Sequence, residues 1–371
     1  MHFITSKEKI FKALNETNKV IPLRTTLPIL SCVLIKTKEN ELILTSTDLE
    51  QTIKITIDVK TIKPGEITVS SAKILEIVSA LPNKGEINFS TKDDFEIEIN
   101  SSQGVYKIVG KDPSEYPETP KLNKEQELTI QGQELLSIIN NTLYAVSKDD
   151  LKPALCGIYL NIDEKNITAV TTDGHRLVKM QKKTEESNPK GSIIVPGKFF
   201  TILKNNIKLS SVVNINLSEN HISVVQNNQT TISRIIKENF PDFNSVIPEE
   251  LSQKATVKID ELIAAIKRVS IFSNKTTKQI IINFNNNEMT ISTEDKETRS
   301  SAKEHIECEY ENENLSVAYN SQYIKEVLQN INDKEVEIFF SGALTAAVFK
   351  PKTKKDKSDI TALLMPLRTQ Q

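Results

Sequence analysis

The stretch that decides the fold is Thr171-Thr172-Asp173-Gly174-His175-Arg176-Leu177. It follows five residues of alternating character, Asn166-Ile167-Thr168-Ala169-Val170, and this alternation predicts a β-strand. The Asp-Gly pair then predicts a tight turn, because glycine adopts positive φ without steric cost and aspartate can bond its own backbone. The pattern therefore places a histidine and an arginine on a turn at the end of a strand, with a leucine beside them.

The combination of a strand and an acidic turn occurs three times in the chain. The three aspartates lie 125 and 122 residues apart, at Asp48, Asp173 and Asp295. An apolar stripe at helical spacing opens each copy, beginning at Ile10, Leu135 and Leu262. A strand that runs into a second helix recurs at the same spacing, marked by Val69, Val195 and Val317. Three types of landmark in one order predict three homologous domains.

The predicted fold class is α+β, with each domain made of two helices packed on an antiparallel sheet. Alternating runs such as Thr52–Val59 predict strands with one face in water. Polar segments that carry prolines separate the copies, so we expect domains at residues 1–125, 126–252 and 253–371.

Composition narrows the class of protein. The chain has 371 residues and a formal net charge of −2, which argues against wholesale coating of nucleic acid but allows a local basic surface. Cys32, Cys156 and Cys308 are far apart and form no CxxC, so we expect free thiols, no metal site and no cofactor. Without a signal-peptide pattern or an apolar run of about 18 residues, a cytoplasmic protein away from the membrane is expected.

A hydrolase that uses Asp173 and His175 is one alternative, since the two residues could form an acid and base pair. However, Asp48 and Asp295 occupy the same place without a histidine two residues later, and no G-x-S-x-G, P-loop or G-x-G-x-x-G motif occurs. The aspartate is therefore interpreted as a turn former, and no catalytic residue is expected.

A binding groove is the second hypothesis for this turn. His175 and Arg176 beside Leu155 and Leu177 suggest an apolar floor and a cationic rim, which suits short peptides with hydrophobic anchors. The alternative is that both leucines belong simply to the core. The segment Met365-Pro366-Leu367 lies beyond the last predicted strand and adds an apolar edge.

The whole chain resembles the bacterial DNA polymerase III β subunit, or sliding clamp, family. The resemblance is carried by Thr25-Thr26-Leu27-Pro28-Ile29-Leu30, Thr172-Asp173-Gly174-His175-Arg176-Leu177, Ile194-Val195-Pro196, Phe240-Pro241-Asp242-Phe243 and Met365-Pro366-Leu367-Arg368. It implies a DNA clamp fold, a head-to-tail homodimer that closes a six-domain ring around double-stranded DNA, and a non-catalytic processivity factor. The implied partners are the DNA polymerase III alpha subunit, a clamp loader, and other polymerases and repair proteins with clamp-binding peptides.

The resemblance also implies roles for individual residues. Positions that match DNA-facing residues, which would attract phosphates without reading bases, are Arg24, Lys148, Lys152 and Lys198. Positions that match the dimer interface are Tyr106, Ile271 and Phe272. The implied partner groove between the second and third domains comprises Leu155, Thr172, Gly174, His175, Arg176, Leu177, Pro241, Val246, Asn320, Tyr323, Leu344, Leu363, Met365, Pro366, Leu367 and Arg368.

The chain departs from the family pattern at several of these places. Pro153-Ala154 stand where the family often has aromatic residues, Ser245 where it often has arginine, and Thr277 where it often has an aromatic residue. The chain also continues through Thr369-Gln370-Gln371 past the usual end. A monomeric three-domain scaffold that never encircles DNA is a further alternative.

Overall fold

The computed structural model describes residues 1–83, 85–120, 126–184, 189–248, 250–353 and 358–368. Residues 121–125 and 249 of the predicted linkers and the terminal residues 369–371 lie outside the described residues. The α-helices of the described chain are α1 (Lys7–Thr17), α2 (Ser71–Ala80), α3 (Gly132–Thr142), α4 (Gly197–Lys204), α5 (Ile259–Val269) and α6 (Ser321–Gln329).

The strands follow the chain with short connections. They are β1 (His2–Ser6), β2 (Cys32–Lys38), β3 (Glu41–Thr47), β4 (Gln51–Asp58), β5 (Lys60–Lys63), β6 (Gly65–Ser70), β7 (Glu86–Thr91), β8 (Glu96–Ser101), β9 (Gly104–Val109), β10 (Gln126–Gln131), β11 (Gly157–Asp163), β12 (Asn166–Thr172), β13 (Arg176–Lys183), β14 (Gly191–Pro196), β15 (Val212–Leu217), β16 (His221–Gln226), β17 (Gln229–Arg234), β18 (Gln253–Lys258), β19 (Gln279–Asn285), β20 (Glu288–Asp295), β21 (Ser300–Glu307), β22 (Leu315–Asn320), β23 (Glu335–Phe340), β24 (Ala347–Pro351) and β25 (Ser358–Leu364).

Contacts divide the chain into two compact units. The first unit holds Met1–Gln133 with Lys198–Ile235, and the second holds Glu134–Gly197 with Ile236–Gln371. The strand pairs within each unit are antiparallel, and each unit contains one eight-stranded sheet and one smaller sheet.

In the first unit, the smaller sheet has the strand order β5-β1-β7-β8-β9 and the larger sheet the order β10-β15-β16-β17-β4-β3-β2-β6. Helices α1 and α2 pack against each other, and α1 also packs on β3 and β4. Fully buried side chains such as Phe3, Ile10, Leu14 and Phe89 form the core between these layers.

In the second unit, the larger sheet has the order β14-β11-β12-β13-β25-β24-β23-β18 and the smaller sheet the order β21-β20-β19-β22. Helices α5 and α6 pack together and cover a core that includes Leu262, Ile266, Ile324 and Phe284. Strand β13 pairs with β25, so that Arg176 lies opposite Leu364 and Leu177 opposite Leu363. This pairing brings the central turn of the sequence to the C-terminal segment.

Polar caps begin three of the helices directly after a strand. The side chains of Ser6 and Ser70 accept backbone N–H bonds at the starts of α1 and α2, each at 3.4 Å. Asn320 does the same for α6, accepting from Gln322 N at 2.9 Å and Tyr323 N at 3.4 Å. Each cap satisfies N–H groups that a helix start would otherwise leave without partners.

The predicted α+β class with antiparallel sheets is confirmed. One feature of the sheets goes beyond the prediction, because each eight-stranded sheet takes strands from two of the sequence repeats. Strand β17 joins β4 in the first unit, and β13 joins β25 in the second. Sharing a sheet pairs strands that would otherwise present open edges. The domain boundaries at 125 and 252 stay a prediction.

Candidate binding groove

The turn after β12 is held by two side chains. The Thr172 hydroxyl donates to Arg176 O at 2.6 Å and accepts from Gly174 N at 3.0 Å. Asp173 Oδ1 accepts the backbone N–H groups of His175 at 2.9 Å and Arg176 at 3.0 Å. Gly174 has φ +89°, a conformation that glycine adopts without strain. The predicted tight turn at the end of a strand is confirmed.

The matching aspartates of the other repeats bond in the same way. Asp48 Oδ1 accepts from Glu50 N at 3.1 Å and Gln51 N at 2.7 Å. Asp295 Oδ1 accepts from Glu297 N at 3.1 Å. The aspartate is a turn former in all three copies, as the sequence predicted, and in Asp173 this bonding occupies the carboxylate that a catalytic pair would need.

Beside the turn lies an apolar cavity of about 200 Å³. Its floor includes Leu177 and Leu363, which are 4% and 2% exposed, while Val246 and Met365 at its edge are 48% and 45% exposed. The lining residues are Leu155, Thr172, Gly174, Arg176, Leu177, Pro241, Asp242, Phe243, Val246, Leu363 and Met365. We call this cavity the groove. Leu177 is therefore both a core residue, packed with Val170 and Val348, and part of the floor.

The structure adds two lining residues to those predicted from the sequence, Asp242 and Phe243. Both belong to the segment Phe240-Pro241-Asp242-Phe243, of which only Pro241 was assigned to the groove from the sequence. The Phe243 ring lies 6.0 Å from the Tyr159 ring, and Phe240 stacks on Tyr159 at 5.0 Å. This aromatic cluster fixes one wall of the groove.

The Arg176 side chain does not form the predicted cationic rim. Its side chain is only 6% exposed and is surrounded by partners. Nε donates to Asp173 Oδ2 at 3.1 Å, Nη2 donates to Tyr144 O at 2.6 Å, and Nη1 donates to Glu326 Oε2. The guanidinium carbon lies 5.3 Å from the centre of the Tyr144 ring and 4.7 Å from that of Tyr323. Burial of this charge requires such pairing, so Arg176 lines the groove as a buried, paired cation and does not form an exposed rim.

His175 and the C-terminal segment form the exposed border of the turn. The His175 ring stacks on Tyr323 with 5.7 Å between ring centres. Met365 N donates to His175 O at 2.8 Å, and Leu367 N donates to Ala318 O at 2.8 Å. These backbone bonds fasten the segment after β25 beside the turn.

The other predicted groove residues have different environments. Asn320 caps α6, and Leu344 is exposed on the connection between β23 and β24. Within the described chain, the cavity lining does not include seven residues of the predicted set: His175, Asn320, Tyr323, Leu344, Pro366, Leu367 and Arg368.

The four predicted DNA-facing residues are all exposed. Arg24 lies on the loop after α1, Lys148 and Lys152 lie on the loop between α3 and β11, and Lys198 lies at the start of α4. Lys198 Nζ forms an ion pair with Asp48 Oδ2, so the carboxylate of the first turn partly neutralises this lysine.

Each unit also presents an open sheet edge. In the first unit, β9 is an edge strand that carries Tyr106 and the exposed Val105 and Val109. In the second unit, β21 is an edge strand, and exposed Ile271 and Phe272 follow α5. Apolar side chains on open strand edges are typical of surfaces that pair with another chain.

Electrostatic shifts around the groove agree with its hydrogen bonds. Burial alone would raise the pKa of Glu326, but hydrogen bonds from Gln322 and Arg176 lower it overall. Burial raises the pKa of Tyr144 beside Arg176. Among the described residues there is no group of three or more His, Cys, Asp and Glu side chains arranged to hold a metal ion. None of the described helices has the length and apolar character needed to span a membrane.

Comparisons with known proteins cover the whole chain. Family models of the DNA polymerase III beta subunit match residues 1–120 (N-terminal domain), 129–242 (central domain) and 244–368 (C-terminal domain). A beta sliding clamp of Staphylococcus epidermidis is 30% identical over 380 residues, and one of Staphylococcus aureus is 29% identical over 381 residues, each alignment covering 100% of both chains.

Solved structures give the same result at the level of the fold. The sliding clamp of Pseudomonas aeruginosa bound to griselimycin has a TM-score of 0.91 at 26% identity, and the clamp of Bacillus subtilis has a TM-score of 0.93 at 23% identity. Both alignments cover 100% of each chain. The three matched domains and the full-length relatives show that this chain belongs to the DNA polymerase III beta subunit family, the bacterial sliding clamps, which are non-catalytic processivity factors of DNA replication.

Proposed function

We propose that two copies of this chain form a head-to-tail ring around duplex DNA, and that the groove tethers the replicative polymerase and other DNA-processing proteins to it. In this proposal each chain contributes three clamp domains, at residues 1–125, 126–252 and 253–371. The observation that carries the proposal is the apolar groove beside the turn of residues 172–176.

The groove suits a peptide with a few hydrophobic anchors. Its volume of about 200 Å³ has room for one or two large apolar side chains but not for a whole folded surface. Exposed Val246 and Met365 allow an extended peptide to continue along the edge. Deep apolar anchors of this kind supply most of the binding energy in small interfaces.

Two open sheet edges support a head-to-tail dimer. The β9 edge belongs to the first unit and the β21 edge to the second, so pairing β9 of one protomer with β21 of its partner joins two different surfaces. Such a heterologous interface produces a closed ring when repeating the rotation that relates one subunit to the next leads back to the first subunit. Tyr106, Ile271 and Phe272 lie at these surfaces and would be covered there.

A ring explains how a chain with a net charge of −2 can remain on DNA. Arg24, Lys148, Lys152 and Lys198 would attract phosphates weakly, and the attraction would fall with salt. Retention would come from topology, since a closed ring leaves a duplex only at its ends. A clamp loader would have to open the ring.

Retention on DNA tests the ring. The chain is loaded by its cognate loader onto nicked circular duplex DNA at high salt, and retention is compared before and after the circle is cut. Loss on cutting is expected. Equal retention on both forms would show direct binding, and a monomer mass with no retention would favour the scaffold alternative, provided that the loader is active on a control clamp.

Peptide binding tests the groove. The probe is a fluorescein-labelled pentapeptide with two leucines and a phenylalanine, followed by fluorescence polarisation. Val246→Glu should abolish binding, because it introduces a charge at the groove edge. Val225→Glu is the matched control, since Val225 is 46% exposed on β16 of the first unit. Equal binding by both variants would contradict the assignment of the groove.

A further inference from the structure

We propose that Glu326 on α6 is a positioning residue of the groove, which acts through Arg176 to hold the turn of residues 172–176 in its binding shape. The inference rests on the proposed function of the groove. It assigns a role to a residue that neither the sequence pattern nor the lining of the cavity identifies.

The first step is the geometry of the carboxylate. Glu326 Oε2 accepts from Arg176 Nη1, and Glu326 Oε1 accepts from Gln322 Nε2 at 2.9 Å, one turn earlier on α6. The bond to Gln322 fixes the carboxylate on its own helix. The bond to Arg176 then joins α6 to the first residue of β13.

The second step is the burial of Arg176. A guanidinium that is 6% exposed needs its charge neutralised and its donors satisfied. Asp173 supplies one carboxylate and Glu326 the other, while Tyr144 O takes a further donor. Without Glu326, Nη1 loses its partner in a site with little water, and the arginine is expected to leave its place between Tyr144 and Tyr323.

The third step connects this arginine to the groove. The backbone of Arg176 closes the turn through Asp173 and Thr172, and both Thr172 and Gly174 line the cavity. His175 O in turn accepts from Met365 N, and Met365 also lines the cavity. A displaced Arg176 would therefore move two sides of the groove.

The repeat offers a matched control for this residue. Glu76 of α2 occupies the place of Glu326 when Lys73-Ile74-Leu75-Glu76 is aligned with Tyr323-Ile324-Lys325-Glu326. Its side chain is 72% exposed and forms an ion pair with Lys73 at 3.2 Å on its own helix. Glu76→Ala should therefore leave peptide binding unchanged.

The experiment measures binding of the fluorescein-labelled pentapeptide to the full chain. Glu326→Ala is expected to weaken binding about tenfold, which matches the loss of one hydrogen bond to a charged group. Glu326→Asp keeps the charge but shortens the reach to Arg176, and it should weaken binding about fivefold. Glu326→Gln keeps the reach without the charge and should stay within about threefold of the original chain.

A second readout separates positioning from a general loss of stability. The ring protons of His175, followed by NMR, report its stacking on Tyr323. They should shift in Glu326→Ala and Glu326→Asp, remain close to their original position in Glu326→Gln, and not move in Glu76→Ala.

The outcomes distinguish this inference from the function on which it rests. If the original chain binds the peptide and Glu326→Ala binds equally well, the positioning role is overturned and the groove stands. If the original chain does not bind the peptide, the proposed function of the groove and the role of Glu326 are both overturned.

Discussion

The turn of residues 47–51 in the first unit and the turn of residues 172–176 in the second unit have the same backbone bonding and different surroundings. In each, a threonine hydroxyl donates to the carbonyl at the end of the turn, at 2.8 Å from Thr47 and 2.6 Å from Thr172. In each, an aspartate, Asp48 or Asp173, accepts two backbone N–H groups. Two side chains therefore specify the turn in both repeats.

The positions between and after these side chains differ. Leu49 of the first turn has φ +76°, and Gly174 at the matching position of the second turn has φ +89°. The first turn therefore carries a leucine side chain where the second turn has none. Gln51 is buried with no described partner for its Oε1 atom, whereas Arg176 at the matching place is paired on all sides. The comparison teaches that the repeat preserves the bonding of the turn, while a few substitutions change what surrounds it.

The largest expected effect comes from replacing Arg176 of the second turn with glutamine, the residue type found at the matching position, Gln51, of the first turn. Arg176→Gln leaves Asp173 and Glu326 without their shared cation, and we expect the free energy of unfolding to fall by about 3 kcal/mol. Urea unfolding measures this loss. Gln51→Leu is the control, since removal of a buried amide that lacks a described partner should be nearly neutral. Similar effects of the two changes would show that the turns are supported alike.

Gly174→Leu introduces into the second turn the leucine that the first turn has at the matching position, Leu49. The φ of Leu49 shows that a leucine can adopt this conformation, at a cost of about 1–2 kcal/mol. A Cβ atom on Gly174 would meet no atom within 4 Å, so the new side chain would extend into open space at the groove. We expect the chain to fold and to bind the pentapeptide about 30-fold more weakly, a loss of about 2 kcal/mol. Leu49→Gly should leave peptide binding unchanged, and a fully binding Gly174→Leu variant would contradict the open side of the groove.

Asp48→Asn tests how the first turn affects the affinity of the chain for DNA. The amide oxygen can still accept the backbone bonds of the turn, but Lys198 loses its carboxylate partner. One freed lysine should raise the affinity of the unloaded chain for linear duplex DNA about threefold at low salt, and the gain should vanish at high salt. Asp242→Asn removes the same charge from a turn in the second unit and serves as the control. Equal gains in both variants would point to net charge instead of Lys198.

The smallest effect concerns acid stability, and it arises from Glu326 beside the second turn. Because the pKa of Glu326 in the folded chain lies below its usual 4.5, the folded state binds this proton less readily than the unfolded state. Its stabilising contribution is therefore present above pH 4.5 and is lost as the pH falls through the lower folded value. The stability difference between the original chain and Glu326→Gln should shrink as urea unfolding is repeated from pH 6 to pH 3. A constant difference would contradict the shift.

Local signals in the sequence were sufficient for the turn. The Asp-Gly pair predicted it, because turn chemistry acts over a few residues. Leu155 and Leu177 were suggested from the sequence as an apolar floor, whereas Leu363 was named only through the resemblance to the family; all three line the cavity. The burial and pairing of the Arg176 side chain could not be predicted from local signals. Its burial depends on Glu326, which lies 150 residues later, and no local pattern reports such a partner.

Sheet pairing shows the same limit. Alternation predicted the strands of both units but not that β13 would pair with β25 or β17 with β4. Period-two patterns determine which face of a strand is buried, and they carry no information about which neighbour completes the sheet. The shared sheets therefore emerged only in the structure.

The pairing of β13 with β25 has a consequence for the order in which the protein is made. Leu177 pairs with Leu363, so one part of the groove floor is translated long before the part that completes it. During synthesis, β13 lacks its neighbouring strand β25 until Ser358–Leu364 has left the ribosome. Because contacts so distant in sequence form late, the groove of a nascent chain stays incomplete until Ser358–Leu364 has paired with β13.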